Sequence, residues 1–262
     1  MIEIDIKKRV RRPRGAVVRL RPISHSLTAE SNYRKGLYAI LSAIRGEVKN
    51  SVLPAYTAYN GSIRDNSAWF DSLKNLIAYE LARNTNLFQS AADEEEKRNR
   101  KKFIASVKKE LSIDLQQILV ADDMAQLLRD YNALNNALIK SLTDDIVKDV
   151  ERLVYDAKIT RESAKSLSDK LTKRFKVAKS RADLIAVDQL NKLNADFNER
   201  RNLQVGIKKY EWLTSRNERV RSLHRSLDGN IYKYGESTGA EEGLPPGKPI
   251  RCQCIAVPVV EF

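Results

Sequence analysis

The sequence predicts an α+β protein, predominantly α-helical, with long N-terminal helices in a bundle or hairpin and a small C-terminal helix-plus-β module. Three observations lead there. No glycine or proline occurs between Gly61 and Gly206, so tight strand connections could hardly be built in that stretch and long helices are the comfortable solution. Apolar residues recur there at three- and four-residue spacing. The unusual residues, by contrast, gather in the last quarter: both cysteines, one of the two histidines, an arginine cluster and a turn-rich segment.

Composition bounds the alternatives. A chain of 262 residues is long enough to bury a sizeable core, and 42% hydrophobic content argues against disorder throughout. The formal charge of +13 points to a polyanionic neighbour such as nucleic acid. The competing reading is a generally basic helical protein with large solvated faces. Cys252 and Cys254 are two residues apart, about 6.6 Å between Cα atoms on an extended strand. That is the upper limit for a disulfide, so reduced thiols and synthesis in a reducing cytoplasm are expected. No apolar run approaches the roughly 20 residues of a bilayer span, and no secretory signal is expected.

Residues 1–22 read as a basic arm. Lys7, Lys8, Arg9, Arg11, Arg12 and Arg14 face few acids, and Pro13, Gly15 and Pro22 argue against a continuous helix. The arm is either a tether to DNA or a solvated, frayed terminus. A helical domain is expected over residues 23–158. Its first helix runs from about Thr28 to Val52 and is closed by Pro54, and a turn near Asn60-Gly61 follows. The next helix carries Ile63, Trp69, Phe70, Leu73 and Ile77. The run Asp93 to Lys102, acids before bases, reads as a solvated helix face. From Met124 to Val154, a stripe including Leu128, Tyr131, Leu134, Leu138, Leu142, Ile146 and Val150 predicts a long helix packed within the chain.

The third region is residues 159–262. Thr160 is a candidate N-cap for a short helix, and a second helix bears Ala178, Ile185, Leu190 and Phe197 on one face. Its other face carries Lys179, Arg181, Lys192, Arg200 and Arg201, and Gly206 closes it. Ser215 and Glu218 fit a capping box for a helix from about Arg216 to Gly229. Strands are expected near Ile231–Tyr234 and Ile250–Val257, paired with each other and packed on that helix.

On the second strand Cys252 and Cys254 share a face. With His224 and Asp228 they form a candidate zinc set, though their spacing is not that of two CxxC pairs. The competing reading is a satisfied histidine and two small buried thiols holding strand to helix. Arg219, Arg221 and Arg225 fan around the helix as candidate phosphate-binding groups. A metal-dependent nuclease acting through His224 is the alternative function. Paired carboxylates, a second HNH-like histidine and a Gly-rich phosphate loop are missing from the sequence, and no helix-turn-helix signal supports a regulatory DNA-binding role.

The run Trp212-x-Thr214-Ser215-x-x-x-Arg219-Val220-Arg221-x-x-His224-x-x-Leu227-Asp228-Gly229, with Pro246-Gly247 and Cys252-x-Cys254, resembles the phage Mu F-like minor head (head morphogenesis) family. Ile159-Thr160-Arg161 with Leu167, and Arg181-Ala182-x-Leu184-Ile185-Ala186-x-Asp188-Gln189-x-x-Lys192-Leu193-Asn194, are similar to it too. Asn217, Val187 and Gln253 depart from its usual acid and two arginines. The resemblance implies a non-enzymatic minor capsid protein of a tailed bacteriophage, made in the host cytoplasm and placed inside the virion near the portal. Implied partners are the portal protein, with several copies of this chain around it, major capsid or scaffold proteins, and non-specifically bound DNA. From the residues themselves, no membrane partner is expected and zinc is the one candidate cofactor.

Overall fold

The computed structural model describes residues 5–58, 68–116 and 124–262. Seven α-helices and four short strands carry most of the regular structure among them. In chain order the first part holds β1 (Val17–Arg19), α1 (Leu27–Glu47), α2 (Leu53–Ala58), α3 (Ala68–Arg83), α4 (Leu87–Leu111), α5 (Ala125–Ile159) and α6 (Ala164–Gln204). There follow β2 (Lys209–Leu213), a six-residue helix α7 (Ser222–Leu227), β3 (Ile231–Lys233) and β4 (Ile255–Glu261). The predominantly helical α+β class is as expected. No described helix is long and apolar enough to cross a membrane. The chain divides into two compact units that interleave along the sequence. One comprises residues 31–90 and 130–186; the other comprises 1–30, 91–129 and 187–262.

The first unit is all helix. Tyr33, Leu37, Ile40 and Ile44 of α1 are buried at helical spacing, as are Leu142, Ile146 and Val150 of α5. Phe88 stacks on Tyr131 and meets Tyr33 edge-on. The stripe on α5 drifts from the expected one: Asn135 and Ile139 are buried, while Leu134 is half exposed. Asn135 is tolerated there because its oxygen accepts from the Tyr33 hydroxyl (2.9 Å) and its amide donates to Tyr131 O (2.8 Å).

Pro54 does not close the first helix. Residues Val48–Val52 widen into a π-turn, with Leu53 N–H reaching back to Val48 O, and the coil runs on through Pro54 to Ala58. A proline lacks the N–H that a regular turn would require, and a widened turn accommodates it. The expected turn at Asn60-Gly61, and Ile63, lie outside the described residues. Thr160 does not cap α6; its hydroxyl donates to Asp156 O at the end of α5. Ser163 takes that role, accepting from Ser166 N–H. The two helices expected after it are one 41-residue helix, α6.

The second unit holds the sheet, in the order β1-β4-β2-β3 and antiparallel throughout. Val18 pairs with Val260, Trp212 with Ala256 and Tyr210 with Tyr232. The two expected strands therefore do not pair with each other: β2 lies between them, and neither β2 nor β1 is among the elements that the sequence predicts. Ile6, Leu20, Phe103, Val107, Val205, Ile207 and Val260 form a core beneath the sheet. Tyr210 and Trp212 are buried from β2.

The charged run on α4 is not simply a solvated face. Glu95 and Asn99 are fully buried, and Asn99 donates to Asn194 and Asn198 of α6, both at 2.8 Å. Arg201, expected on a cationic face, is also fully buried. It donates to Asn99 and reaches Glu96 at 2.7 Å. Asn194 and Asn198 donate in turn to Ile23 O, so this polar seam satisfies itself.

Candidate metal centre

The C-terminal module is built on β2, α7 and the loops that follow. Its own core is small: Trp212, Leu227, Ala240, Cys252 and Cys254. The capping-box helix expected from Arg216 is not formed. Arg216 adopts φ 55°, Asn217 Oδ1 accepts from Arg219 N–H, and helix begins only at Ser222. This shortening leaves His224 on the first turn of α7, its ring edge-on to Trp212 with centroids 5.3 Å apart.

The cysteines do not lie on β4 as expected but in the loop before it, after Arg251 at φ 60°. The loop is held from α6: Arg251 N–H donates to Asp188 (3.2 Å), and Lys248 pairs with Asp196. Gly247, at φ 87°, comes close enough to α6 that a Cβ would meet Ala195 at 3.2 Å. Its N–H donates to Cys252 Sγ at 3.4 Å, an orienting bond that a left-handed backbone makes reachable.

Three of the four candidate ligands converge. His224 Nδ1 lies 3.6 Å from Cys252 Sγ and 3.6 Å from Cys254 Sγ, and all three residues are buried. Among the described residues they are the group whose donor atoms lie within 4.8 Å of one another. Asp228 is not among them. Its carboxylate accepts from Thr214 N–H at 2.7 Å and lies 4.0 Å from Arg216, tying the end of α7 to the end of β2.

Glu241, which the sequence did not single out, stands behind the histidine. Its Oε2 lies 2.6 Å from His224 Nε2, and its Oε1 lies 3.0 Å from Arg221. The bond to His224 holds the Glu241 carboxyl below the usual carboxylate range. Hydrogen bonding between the two thiols lowers Cys252, and the same bond together with burial pushes Cys254 up.

The candidate phosphate-binding residues form two separate groups. Lys7, Lys8, Arg9, Arg11, Arg12 and Arg14 are all exposed and precede the edge strand β1; Arg12 also donates to Glu110 O. Arg219, Arg221 and Arg225 are exposed in the connection leading to the other edge strand, β3. Two of the three are used internally. Arg221 bonds Ile250 O and Glu241, and Arg225 bonds Glu218 O. A cleft of about 240 Å³ opens beside Cys254, lined in part by His25, Asn194, Ser215 and Gly247. Asn191, also on its wall, is nearly buried and its amide nitrogen lacks a protein partner.

Residues 148–257 match the model of the family described as Phage Mu protein F like protein, bearing out the resemblance read from the sequence. The matched span takes in the end of α5, α6, the cysteine loop and all three converging ligands. The chain is also similar to a Haemophilus influenzae protein described as uncharacterized, with 26% identity over 254 residues. The alignment covers 93% of this chain and 56% of that relative, so the chain spans little more than half the relative's length. No solved structure matches this chain.

Proposed function

We propose that this chain, with its Mu F-like segment at residues 148–257, is a minor head protein of a tailed bacteriophage, acting in head morphogenesis or genome delivery from within the capsid. The observation that carries this reading is the family match itself, which extends over α6 and the module α6 supports. In this reading several copies dock on the portal, beside capsid or scaffold proteins, and touch packaged DNA.

Charge supports the DNA contact. The net charge is +13, and the six cations of the arm are exposed. Contact through lysine and arginine would be sequence-independent and salt-sensitive, because each neutralised phosphate releases counterions. A structural role agrees with the internal use of these groups: Glu241 bonds His224, and Arg221 bonds Glu241.

Mass spectrometry of purified, DNA-filled particles tests this. A small, reproducible ratio of this chain to the portal subunit is the expected result. Absence from particles would refute a resident head component and favour the nuclease alternative, whose signature is metal-dependent DNA cleavage lost in His224→Ala.

A further inference from the structure

The geometry points to a zinc ion held by His224 Nδ1, Cys252 Sγ and Cys254 Sγ, with Glu241 as the group that orients the histidine and Asp228 outside the ligand set. Zinc bonds of about 2.3 Å to sulfur and about 2.0–2.1 Å to nitrogen, opened at the tetrahedral angle, place sulfur and nitrogen about 3.6 Å apart. Both sulfurs lie 3.6 Å from Nδ1. Two edges of a zinc tetrahedron are therefore already at their bound length.

The surroundings fit as well as the donors. A zinc-bound histidine donates its other ring N–H to a carboxylate, which fixes tautomer and ring orientation. Glu241 Oε2 lies 2.6 Å from Nε2, and Arg221 holds the other carboxylate oxygen. Gly247 N–H donates to Cys252 Sγ, the kind of bond that stabilises a metal-bound thiolate. Binding displaces the remaining thiol protons to solvent, leaving thiolates on the ion.

There is also a reason for the module to need an ion. Its core comprises five buried residues, two of them the cysteines, while residues 234–254 contain only a three-residue helical turn as regular secondary structure. A core that small gains much from a metal crosslink. Zinc would join α7, which carries His224, to the loop that α6 holds through Asp188. This assignment is independent of the phage-head reading.

The test is metal analysis of the full chain purified from zinc-supplemented cells, with cobalt exchange. We expect a single zinc per chain and, in the cobalt form, a thiolate-to-cobalt charge-transfer band. Cys254→Ser and His224→Gln should lose the metal. Asp228→Asn should keep it, and Glu241→Gln should keep it with affinity weakened about 10- to 100-fold against a chelator. Should the cysteine variants fail to fold, thiol alkylation of the native chain decides: both thiols protected until a chelator is added. A chain without metal, whether its thiols are free or joined in a disulfide, would overturn the assignment. So would loss of metal in Asp228→Asn.

Discussion

Arg201 has no exposed surface, and its guanidinium meets Glu96 of α4 at 2.7 Å while donating to Asn99. The stacking of its guanidinium on Phe197 (5.2 Å to the ring centroid) completes a site closed on every side. Glu96 also reaches Arg100 at 3.5 Å, so it is the fully buried Arg201 that loses its carboxylate when the pair is broken from the other side. Glu96→Ala should therefore lower unfolding free energy by about 3–5 kcal/mol in denaturant titration. The double change Arg201→Met with Glu96→Gln should recover part of that stability, because no bare charge remains.

Glu95 gives the same unit a pH dependence. Burial raises its carboxyl from 4.5 to about 7, against opposing contributions from Ser26 N–H, Arg98, His25 and Lys102. Its folded value lies above the unfolded one, so the stabilisation belongs to the neutral form. It is fully present below about pH 4.5 and is lost as pH rises through about 7. Compared with Glu95→Gln, the native chain should lose roughly 3 kcal/mol of stability across that window. Denaturation midpoints of both proteins at several pH values would check this; parallel curves would refute it.

Gly247 and Gly229 provide a matched pair. Both have positive φ, 87° and 82°, but a Cβ at Gly229 meets open space and one at Gly247 meets Ala195. Gly229→Ala should cost about 1–2 kcal/mol, the left-handed backbone penalty alone. Gly247→Ala should cost more and should also expose Cys252 to alkylation, since the glycine N–H holds its sulfur.

The two basic groups should separate in a salt titration of DNA binding. Neutralising Lys7, Lys8 and Arg9 to glutamine should lower the slope by about 0.9 for every phosphate no longer neutralised, and leave the melting temperature unchanged. Arg221→Gln should instead lower the melting temperature of the module, since its guanidinium holds Glu241 and Ile250 O.

These residues show where sequence reasoning reaches and where it stops. Helices α1, α3 and α5 are legible because Leu37, Ile40 and Ile44, or Leu142, Ile146 and Val150, repeat at helical spacing. The polar seam is not, because Glu95, Asn99 and Arg201 belong to types that water normally receives. Only a partner helix of matching asparagines makes their burial tolerable. The strand β2 carries a period-two signal, Tyr210 and Trp212 inward, but it is only five residues long; β1, at three residues, is too short to carry one. The converging residues His224, Cys252 and Cys254 are legible by residue type. Asp228 is displaced from the set because its carboxylate is taken by Thr214 N–H, and Glu241 is hidden because it arrives from a distant loop. A non-glycine residue at positive φ, such as Arg216 or Arg251, leaves no mark in the sequence, yet each redirects the chain at this site.

The pairing of Val17 with Glu261 sets a timetable for synthesis. At about 5–20 residues per second, β1 leaves the ribosome on the order of ten seconds or more before its partner β4 exists. Until then neither Leu20 nor Ile6 has the Val260 side of its core, and the central place in the sheet beside β2 stays empty. The β1–β4 and β2–β4 pairings therefore close last, the slow order expected of long-range strand pairing. Any nascent chain halted before Ile255 would present β2 with one edge unpaired, a template for joining other chains rather than itself.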